Sequence, residues 1–411
     1  MKFYHLADLH FGKSIYGLSM LDDQRYWADQ FIAECRECRP NAIVIAGDVY
    51  DRAAPSGDAV ELLDYMLTKL ADLDIPVMLI AGNHDSGQRL SFGHSLLAKQ
   101  NIHIAGTAKK ELVHIPLKDE YGPVTFWLLP YTYPDQVIQI LGDEEIHTYD
   151  QAVRRLLEEQ EIDLSQRNVI IAHQNVTANG MEAERGGSET MVGGIGQVDY
   201  TAFDGFEYAA LGHIHRAYPV GRKEVRFAGT PLCYHMNETM QENKGYTEVI
   251  LRGKGEEAEI HQRSIEPLHK MRYLKDTKDA VYALLKNDTG RDEYIGITIT
   301  DERITPEINN YLKGLLSSRG SILMELLSTY SAFSGTTASA EKEAVETKAL
   351  EDLFADLYTD QSGGTPPEDD EYELMQYAGE LIRHMDTHGP LNPKDILKMT
   401  EKAMKIGGEA K

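Results

Sequence analysis

Five short stretches decide the fold of this chain: FYHLADLH (residues 3–10), AIVIAGDVYD (42–51), VMLIAGNHD (77–85), VIIAHQNV (169–176) and AALGHIHRAYPV (209–220). Each begins as a short apolar run and ends in side chains that can bind metal. Such runs are typical of buried strands and are too short for amphipathic helices. Together they supply the candidate site residues Asp8, His10, Asp48, Asn83, His84, His173, His213 and His215.

The polar residues follow their apolar runs, and this order predicts where they lie. In open α/β sheets, ligands bind beyond the carboxyl ends of the strands, which is where these side chains would sit. Carboxylate and imidazole ligands suit Mn, Fe or Zn. Two ions about 3.5–4 Å apart clamp a phosphate diester for in-line displacement. The pattern therefore predicts a two-metal phosphoesterase.

Taken singly, each motif also has an ordinary structural explanation. Asp8 and His10 could merely cap a turn, and the i, i+2 spacing of His213 and His215 could place both rings on one face of a strand. In a loop after a strand, the same spacing can aim the two rings at neighbouring ions. Five such motifs in order favour the metal-binding interpretation.

The motifs resemble those of the calcineurin-like metallophosphoesterase family. The matching residues are D-x-H at Asp8–His10, GDxxD at Gly47–Asp51, GNHD at Gly82–Asp85, AHQ around His173 and GHIH at Gly212–His215. Within that family, LGHIHRAYPV (211–220) and FAGTPLCYH (227–235) are similar to bacterial nuclease subunits related to the eukaryotic double-strand-break repair nuclease. The resemblance implies a layered α/β metallophosphoesterase fold, in which a β-sandwich is flanked by helices.

The resemblance also implies two divalent metal ions, with Mn²⁺ expected. One ion would be held by Asp8, His10, Asp48 and His215, and the other by Asp48, Asn83, His173 and His213. His84 would be an unliganded catalytic residue that stabilises the transition-state phosphate or protonates the leaving oxygen. Asp51 and Asp85 fall outside this ligand set and are expected to orient ligands or cap turns.

The composition indicates a protein of more than one domain, since the chain has 411 residues and 42% of them are hydrophobic. No stretch approaches the roughly 20 apolar residues of a membrane span. Because the first strand-like run begins at once, we expect no signal peptide. Cys35 and Cys38 form a C-x-x-C with no second ligand pair, so we expect incidental cysteines. A cytoplasmic protein, associated with the nucleoid when it acts, is expected.

The net charge of −25 argues against tight autonomous DNA binding. The chain has 41 Lys and Arg against 66 Asp and Glu, whereas binding to backbone phosphates depends on clustered cations. Bound metal ions supply local positive charge, and a partner protein could hold most of the DNA. The charge is therefore compatible with a nuclease that works inside a complex.

Strand-like and helix-like segments predict four regions. Residues 1–265 form the metallophosphoesterase domain, which ends in a hairpin of YTEVILRG and EAEIHQRSI. Residues 266–330 form a small α+β domain, which the resemblance identifies as a cap that presents DNA to the metals. A polar linker (331–345) precedes a helical tail (346–411). The Gly-rich stretch 178–197 is either a loop that serves the active site or a plain surface excursion.

The predicted tail carries an apolar helical face formed by Leu350, Leu353, Phe354 and Leu357. Because such a helix has little core of its own, it could fold back on the chain or dock onto a partner. The segment resembles the tail by which these nuclease subunits grip the coiled-coil base of their partner ATPase, which favours docking. The family also implies a homodimer within a heterotetramer that acts on double-stranded and hairpin DNA.

These observations predict a metal-dependent DNA exonuclease and hairpin- or structure-specific endonuclease in DNA repair, recombination and replication. Nothing in the chain resembles a P-loop, so the partner would hydrolyse the ATP. Two alternatives remain. A metallophosphoesterase for small nucleotides would share all five motifs but would need neither the cap nor the tail. A non-catalytic scaffold of a repair complex would have no use for a complete ligand set.

Overall fold

The structure is a computed structural model that describes residues 1–178, 196–240 and 244–330, together with Tyr372 and Gln376. The predicted linker lies outside the described residues, as do the tail face of Leu350, Leu353, Phe354 and Leu357 and most of the Gly-rich stretch.

The described residues form strands and helices that we number in chain order. The strands are β1 (Lys2–Leu6), β2 (Ser14–Ile15), β3 (Leu18–Ser19), β4 (Ala42–Ala46), β5 (Val77–Ile80), β6 (Ile102–Ala105), β7 (Val113–Asp119), β8 (Gly122–Leu129), β9 (Arg167–His173), β10 (Asn175–Thr177), β11 (Gln197–Asp199), β12 (Tyr208–Gly212), β13 (Tyr218–Val220), β14 (Arg222–Phe227), β15 (Tyr246–Ile250), β16 (Glu259–Arg263), β17 (Met271–Asp276), β18 (Tyr294–Ile299) and β19 (Ile322–Ser328). The helices are α1 (Leu21–Cys38), α2 (Gly57–Ala71), α3 (Gly87–Leu90), α4 (His94–Leu97), α5 (Pro134–Leu141), α6 (Tyr149–Glu158), α7 (Lys278–Asn287) and α8 (Pro306–Ser317).

Two six-stranded sheets form the centre of the molecule. The first has the order β16-β15-β1-β4-β5-β6, and the second has the order β13-β14-β12-β9-β8-β7. In the first sheet, β1, β4, β5 and β6 are parallel, and β15 and β16 form the predicted antiparallel hairpin at one edge. In the second, β8, β9, β12 and β14 are parallel, with antiparallel β7 and β13 at the two edges.

The central strands β4, β5, β9 and β12 are buried on both faces. Successive side chains on a strand point to opposite faces, so each of these strands contributes to two apolar layers. In β4, Ile43 and Ile45 pack in the cluster beneath α1 and α2, whereas Val44 packs between the sheets with Phe126 and Ile171. The second sheet packs its other face on α5 and α6. Strands covered on both sides require near-continuous apolar runs, as seen in the sequence. The four layers confirm the predicted sandwich flanked by helices.

Several helices begin at capping side chains that the sequence supplies. Before α2, the hydroxyl of Ser56 accepts a hydrogen bond from the amide of Ala59 at 3.3 Å. Before α6, Thr148 forms a capping box with Gln151. Such caps satisfy backbone amides that have no partner within the helix. None of the described helices is both long enough and apolar enough to cross a membrane.

The segment 271–328 folds as β17-α7-β18-α8-β19 around its own apolar cluster, which includes Ile295, Ile297 and Leu312. It contains two helices and three strands, where the sequence predicted two helices and two or three strands. The strands are parallel, which the crossover helices between them permit. Residues Met1–Tyr330 fall in one compact unit, and the boundary at residue 265 and the capping role stay predictions.

Candidate metal centre

The carboxyl ends of five strands from both sheets meet at one site. Within the first sheet, the amide of His10 donates to the carbonyl of Asp48 at 2.9 Å. Between the sheets, the amide of His213 donates to the Asp8 carboxylate at 3.1 Å, and Nδ1 of His173 donates to the carbonyl of Ala46 at 2.8 Å. The loops that carry the predicted residues are therefore joined by hydrogen bonds.

Four of the predicted site residues have left-handed backbone conformations. The φ angles of Asp8, His10, Asp48 and His213 are 52°, 45°, 48° and 106°. Such conformations cost about 1–3 kcal/mol each for residues other than glycine, and they cluster at functional sites. Close packing adds a further constraint, because a Cβ on Gly212 would lie 1.9 Å from the carbonyl oxygen of Ala46. The backbone of these loops is strained, and this strain accompanies the placement of the predicted site residues at one point.

The first candidate group comprises Asp8, His10 and His215, which are all buried and offer ligand atoms within 4.8 Å of one another. The Nε2 atoms of His10 and His215 lie 3.1 Å apart. Two imidazole nitrogens that each lie about 2.1 Å from one ion would be separated by roughly 3–3.4 Å. The donor types and their spacing therefore fit a divalent transition-metal ion.

The second candidate group lies beside the first. Asp8, Asp48 and His173 also offer ligand atoms within 4.8 Å of one another. The Oδ1 atom of Asn83 lies 3.0 Å from both Nε2 of His173 and Nδ1 of His213. His213 thus faces Asn83 while His215 faces His10. The two rings therefore point to the two neighbouring groups, and they do not lie side by side on one face of a strand.

Asp48 belongs to the second group and also lies near His10 of the first. Its Oδ2 atom is 3.4 Å from Nε2 of His173 and 3.8 Å from Nε2 of His10. This position suits the predicted bridging carboxylate. The seven predicted ligands lie close together, but their grouping differs from the prediction, because Asp8 is shared by the two groups above and a third possible group joins His10, Asp48 and His84. The division into two ligand sets and the individual metal-binding roles stay predictions.

His84 has a side chain that is 37% exposed, whereas Asp8, His10, Asp48, His173 and His215 are buried. Its Nδ1 donates to the carbonyl oxygen of Asp51 at 3.0 Å, and its Nε2 lies 4.0 Å from Oδ2 of Asp48. Its backbone amide donates to Oδ1 of Asp48 at 2.9 Å. The ring is thus held at the edge of the metal groups with Nε2 directed towards them, which suits the predicted catalytic role.

The two carboxylates excluded from the ligand set support the loops. Asp85 accepts hydrogen bonds from the amides of Gly82 at 2.9 Å and Tyr50 at 2.9 Å, which ties the GNHD loop to the GDxxD loop. Asp51 pairs with Lys13 at 2.8 Å and lies 3.6 Å from Nδ1 of His10. Carboxylates in these positions orient the ligating side chains.

Two further supporting residues were not predicted from the sequence. The side-chain amide of Gln24 donates to the carbonyl of His10 at 2.7 Å, which holds the D-x-H loop against α1. Glu238 lies 3.6 Å from Nδ1 of His215 and pairs with Lys244 at 2.6 Å. Both residues lie outside the five motifs and follow no ligand-like spacing, so the sequence carries no signal for them.

The buried groups have strongly perturbed protonation. Burial raises the pKa of Asp8 to about 7 and takes the pKa of His10 well below its usual value. Burial also opposes charge on His173, but Asp48 outweighs it and raises the pKa of His173 to about 9. Burial would likewise raise the pKa of Asp48, yet His173 holds it well below its usual range. Several groups must therefore shed protons before they can bind metal.

Comparisons with known proteins agree with this geometry. Residues 1–217 match the family model described as calcineurin-like phosphoesterase, and this match covers just over half of the chain. The chain therefore belongs to the calcineurin-like phosphoesterase family. Family membership and the Asp/His groups support a metal-dependent phosphoester hydrolase with a two-metal site.

One similar solved structure is a dimetal phosphatase from Danio rerio. It is 13% identical, with a TM-score of 0.34, and the match covers 64% of this chain and 99% of that chain. A TM-score this low supports no conclusion about fold or function.

Proposed function

We propose that this chain is a DNA nuclease of the SbcD type, a manganese-dependent exonuclease and hairpin- or structure-specific endonuclease. The complete donor set beside the partly exposed His84 supports hydrolysis. The observation that carries the nuclease assignment is the β17–β19 module, which extends the chain beyond the residues matched to the family. A phosphoesterase for small nucleotides needs no such added surface, whereas a long polymer uses one.

Each group in the centre has a defined part in this chemistry. Asp8, His10, Asp48 and His215 would hold one ion, and Asp48, Asn83, His173 and His213 would hold the other. When bound, two such ions supply positive charge that polarises the phosphoryl group and lowers the pKa of water. The hydrogen bonds to Ala46, Asp51 and Gln24 fix the rings and loops that carry these donors.

His84 would handle the proton on the leaving side of the reaction. Because its Nδ1–H is held by the carbonyl of Asp51, Nε2 is the atom that can exchange a proton with the substrate. An imidazole transfers protons well near neutral pH, and a positioned acid–base group contributes roughly 10²–10⁴-fold to the rate.

The proposal includes a partner. An SbcC-type ATPase would hydrolyse ATP and hold most of the DNA, which accommodates the net charge of −25. The tail face of Leu350, Leu353, Phe354 and Leu357 would bind this ATPase within a heterotetramer that contains two copies of the chain. Such a complex would act in the cytoplasm, at the nucleoid, during DNA repair, recombination and replication.

The test uses the purified chain with linear duplex DNA, hairpin DNA and a nucleotide phosphodiester, with and without the ATPase. We expect a chelator to abolish cleavage of DNA and Mn²⁺ to restore it far better than Mg²⁺ or Ca²⁺. The reason is that a mixed set of imidazole, carboxylate and amide donors suits Mn²⁺, whereas Mg²⁺ and Ca²⁺ prefer all-oxygen sites and Mg²⁺ keeps its waters. Hydrolysis of the nucleotide without cleavage of either DNA would instead favour the small-nucleotide phosphoesterase.

A further inference from the structure

Three tyrosines lie beside the second metal group and have no part in the chemistry described so far. The ring centroids of Tyr131 and Tyr133 are 4.9 Å apart, and Tyr149 lies 6.3 Å from Tyr131 and 6.2 Å from Tyr133. We call these three residues the tyrosine cluster. The ring of Tyr131 is 6.0 Å from that of His173 and 6.2 Å from that of His213, so the cluster borders the metal centre.

The loop that carries Tyr131 and Tyr133 is held by prolines and hydrogen bonds, and Tyr149 is the first residue of α6. Prolines at positions 130 and 134 restrict its backbone, and the hydroxyl of Thr132 donates to the carbonyl of Pro130 at 2.7 Å. The amide of Tyr131 donates to the carbonyl of Ala81 at 2.9 Å, directly before the GNHD loop. The position of the cluster is therefore fixed relative to Asn83 and His84. A preformed aromatic surface loses little entropy when a ligand binds to it.

The cluster is also accessible. Tyr133 is 43% exposed, Tyr131 and Tyr149 are half-buried, and Tyr133 directly precedes the first turn of α5. An exposed aromatic ring at the edge of a phosphoesterase centre offers a flat apolar face with a polar tip. The chain has a net charge of −25, and Lys13 near the centre already pairs with Asp51. Apolar contacts with an aromatic ring can therefore contribute to substrate binding where free positive charge is scarce.

We propose that the tyrosine cluster is a subsite for an unpaired nucleobase, which stacks on Tyr133 when its phosphate occupies the metal centre. A base lies one sugar away from its phosphate, so a base can reach a ring that borders the metal ligands. Stacking on aromatic side chains is tolerant of sequence, because every base has a flat face. The proposal rests on the proposed nuclease function and restricts the preferred substrate to DNA with an unpaired base at the cleavage site.

The subsite requires a base that has left its duplex stack. A base within a duplex is covered on both faces, and its extraction costs a few kcal/mol, least where it is already unpaired. Frayed ends and hairpin loops present such bases without this cost. The cluster therefore favours cleavage at ends and loops over cleavage within continuous duplex.

The test compares two esters with the same p-nitrophenyl leaving group. One is thymidine 5′-(p-nitrophenyl phosphate), and the other is methyl p-nitrophenyl phosphate, which has no base. The readout is the preference for the thymidine ester, expressed as the ratio of the two kcat/KM values. Tyr133→Ala should lower this ratio roughly 5- to 100-fold, mainly through a higher KM for the thymidine ester, because stacking contributes equally to ground-state and transition-state binding.

Matched variants separate stacking from other effects. Tyr133→Phe keeps the ring and should keep the ratio, whereas a loss equal to that of Tyr133→Ala would overturn the stacking model. Tyr121→Ala removes a tyrosine of similar exposure, 42%, from the turn between β7 and β8, and it should leave the ratio unchanged. An unchanged ratio in Tyr133→Ala would overturn the proposal.

A binding measurement tests the subsite even if hydrolysis of the esters is too slow to measure. Fluorescence anisotropy with Ca²⁺ in place of Mn²⁺, which should leave the centre loaded but slow in cleavage, would compare a short oligothymidylate with the same oligomer lacking its bases. The wild type should prefer the oligomer with bases and Tyr133→Ala should not, and equal affinities in the wild type would contradict the subsite. A wild type that cleaves DNA without any preference for a base refutes the subsite but keeps the nuclease. A Tyr133-dependent preference without DNA cleavage keeps the subsite but refutes the nuclease.

Discussion

At the scale of single residues, we expect Asp48 to bind metal and His84 to transfer a proton. Asp48 belongs to the second candidate group and also lies near His10 of the first, so Asp48→Ala should lose bound metal. His84 is partly exposed and outside the predicted ligand set, so His84→Ala should keep metal and lose roughly 10²–10⁴-fold in cleavage rate. Metal content by mass spectrometry, measured beside cleavage rate, tests both variants. A metal-free His84→Ala with a fully loaded Asp48→Ala would reverse these roles.

Protonation of the ligands makes metal binding depend on pH. The pKa of Asp8 is raised to about 7 and that of His173 to about 9, so both groups hold protons at neutral pH in part or in full. A ligand atom must be free of its proton before it binds an ion. Metal affinity should therefore rise between about pH 6 and pH 9, as each group passes its pKa.

Calorimetry measures this proton release directly. At pH 7, titration with Mn²⁺ in two buffers of different ionisation enthalpy should give apparent binding enthalpies that differ by the heat of proton uptake. Equal enthalpies in the two buffers would show that no proton is released.

At the scale of secondary-structure elements, the first turn of α1 joins the metal centre to the β17–β19 module. Asp23 is 1% exposed and accepts hydrogen bonds from the amide of His269 at 3.2 Å and the hydroxyl of Tyr294 at 2.8 Å. The next residue, Gln24, holds the carbonyl of His10. A shift of the module would therefore act on Asp23, which is adjacent to Gln24, the residue that holds the D-x-H loop.

Removal of the Asp23 carboxylate tests this connection. Asp23→Ala leaves the buried hydroxyl of Tyr294 and the partly buried amide and Nδ1 of His269 without this partner. The free energy of unfolding should fall by about 1–3 kcal/mol for the buried hydroxyl and by less for the two donors that water can reach. Urea denaturation gives this value. Asp22→Ala is the matched control, since Asp22 lies beside Asp23 on α1 and is exposed. Equal stability of the two variants would contradict the connection.

The elements also show what the sequence could predict. The runs that became β1, β4, β5, β9 and β12 were predictable, because strands buried on both faces are apolar throughout and their ligands follow directly. Gln24 and Glu238 support His10 and His215 from positions that are remote in sequence, so local patterns carry no sign of them. The parallel order of β17, β18 and β19 depends on tertiary pairing, which periodicity within one segment does not specify.

At the scale of the whole molecule, the compact unit of Met1–Tyr330 contains every predicted metal ligand. Truncation before Ala340 should therefore keep metal-dependent cleavage of short substrates and lose co-purification with the proposed ATPase partner. Leu353→Glu with Phe354→Glu should reproduce the lost interaction, because burial of each large side chain contributes roughly 1.5–3 kcal/mol before ordering costs. Pull-down and melting temperature, measured on the same variants, test this expectation. If the tail folds back instead, truncation would lower the melting temperature and the substituted chain would still bind the ATPase.

The metal centre also has a mechanical consequence for the sandwich. Asp8, His10, Asp48 and Asn83 come from the first sheet, and His173, His213 and His215 come from the second. Ions bound by both sets would act as cross-links that stop the sheets from sliding past each other at their carboxyl ends. Chelation should then speed amide hydrogen exchange in the ends of β4 and β9, which pack face to face, and leave the module at 271–328 unchanged. Exchange that stayed the same throughout would mean that the apolar interface holds the sheets together without the ions.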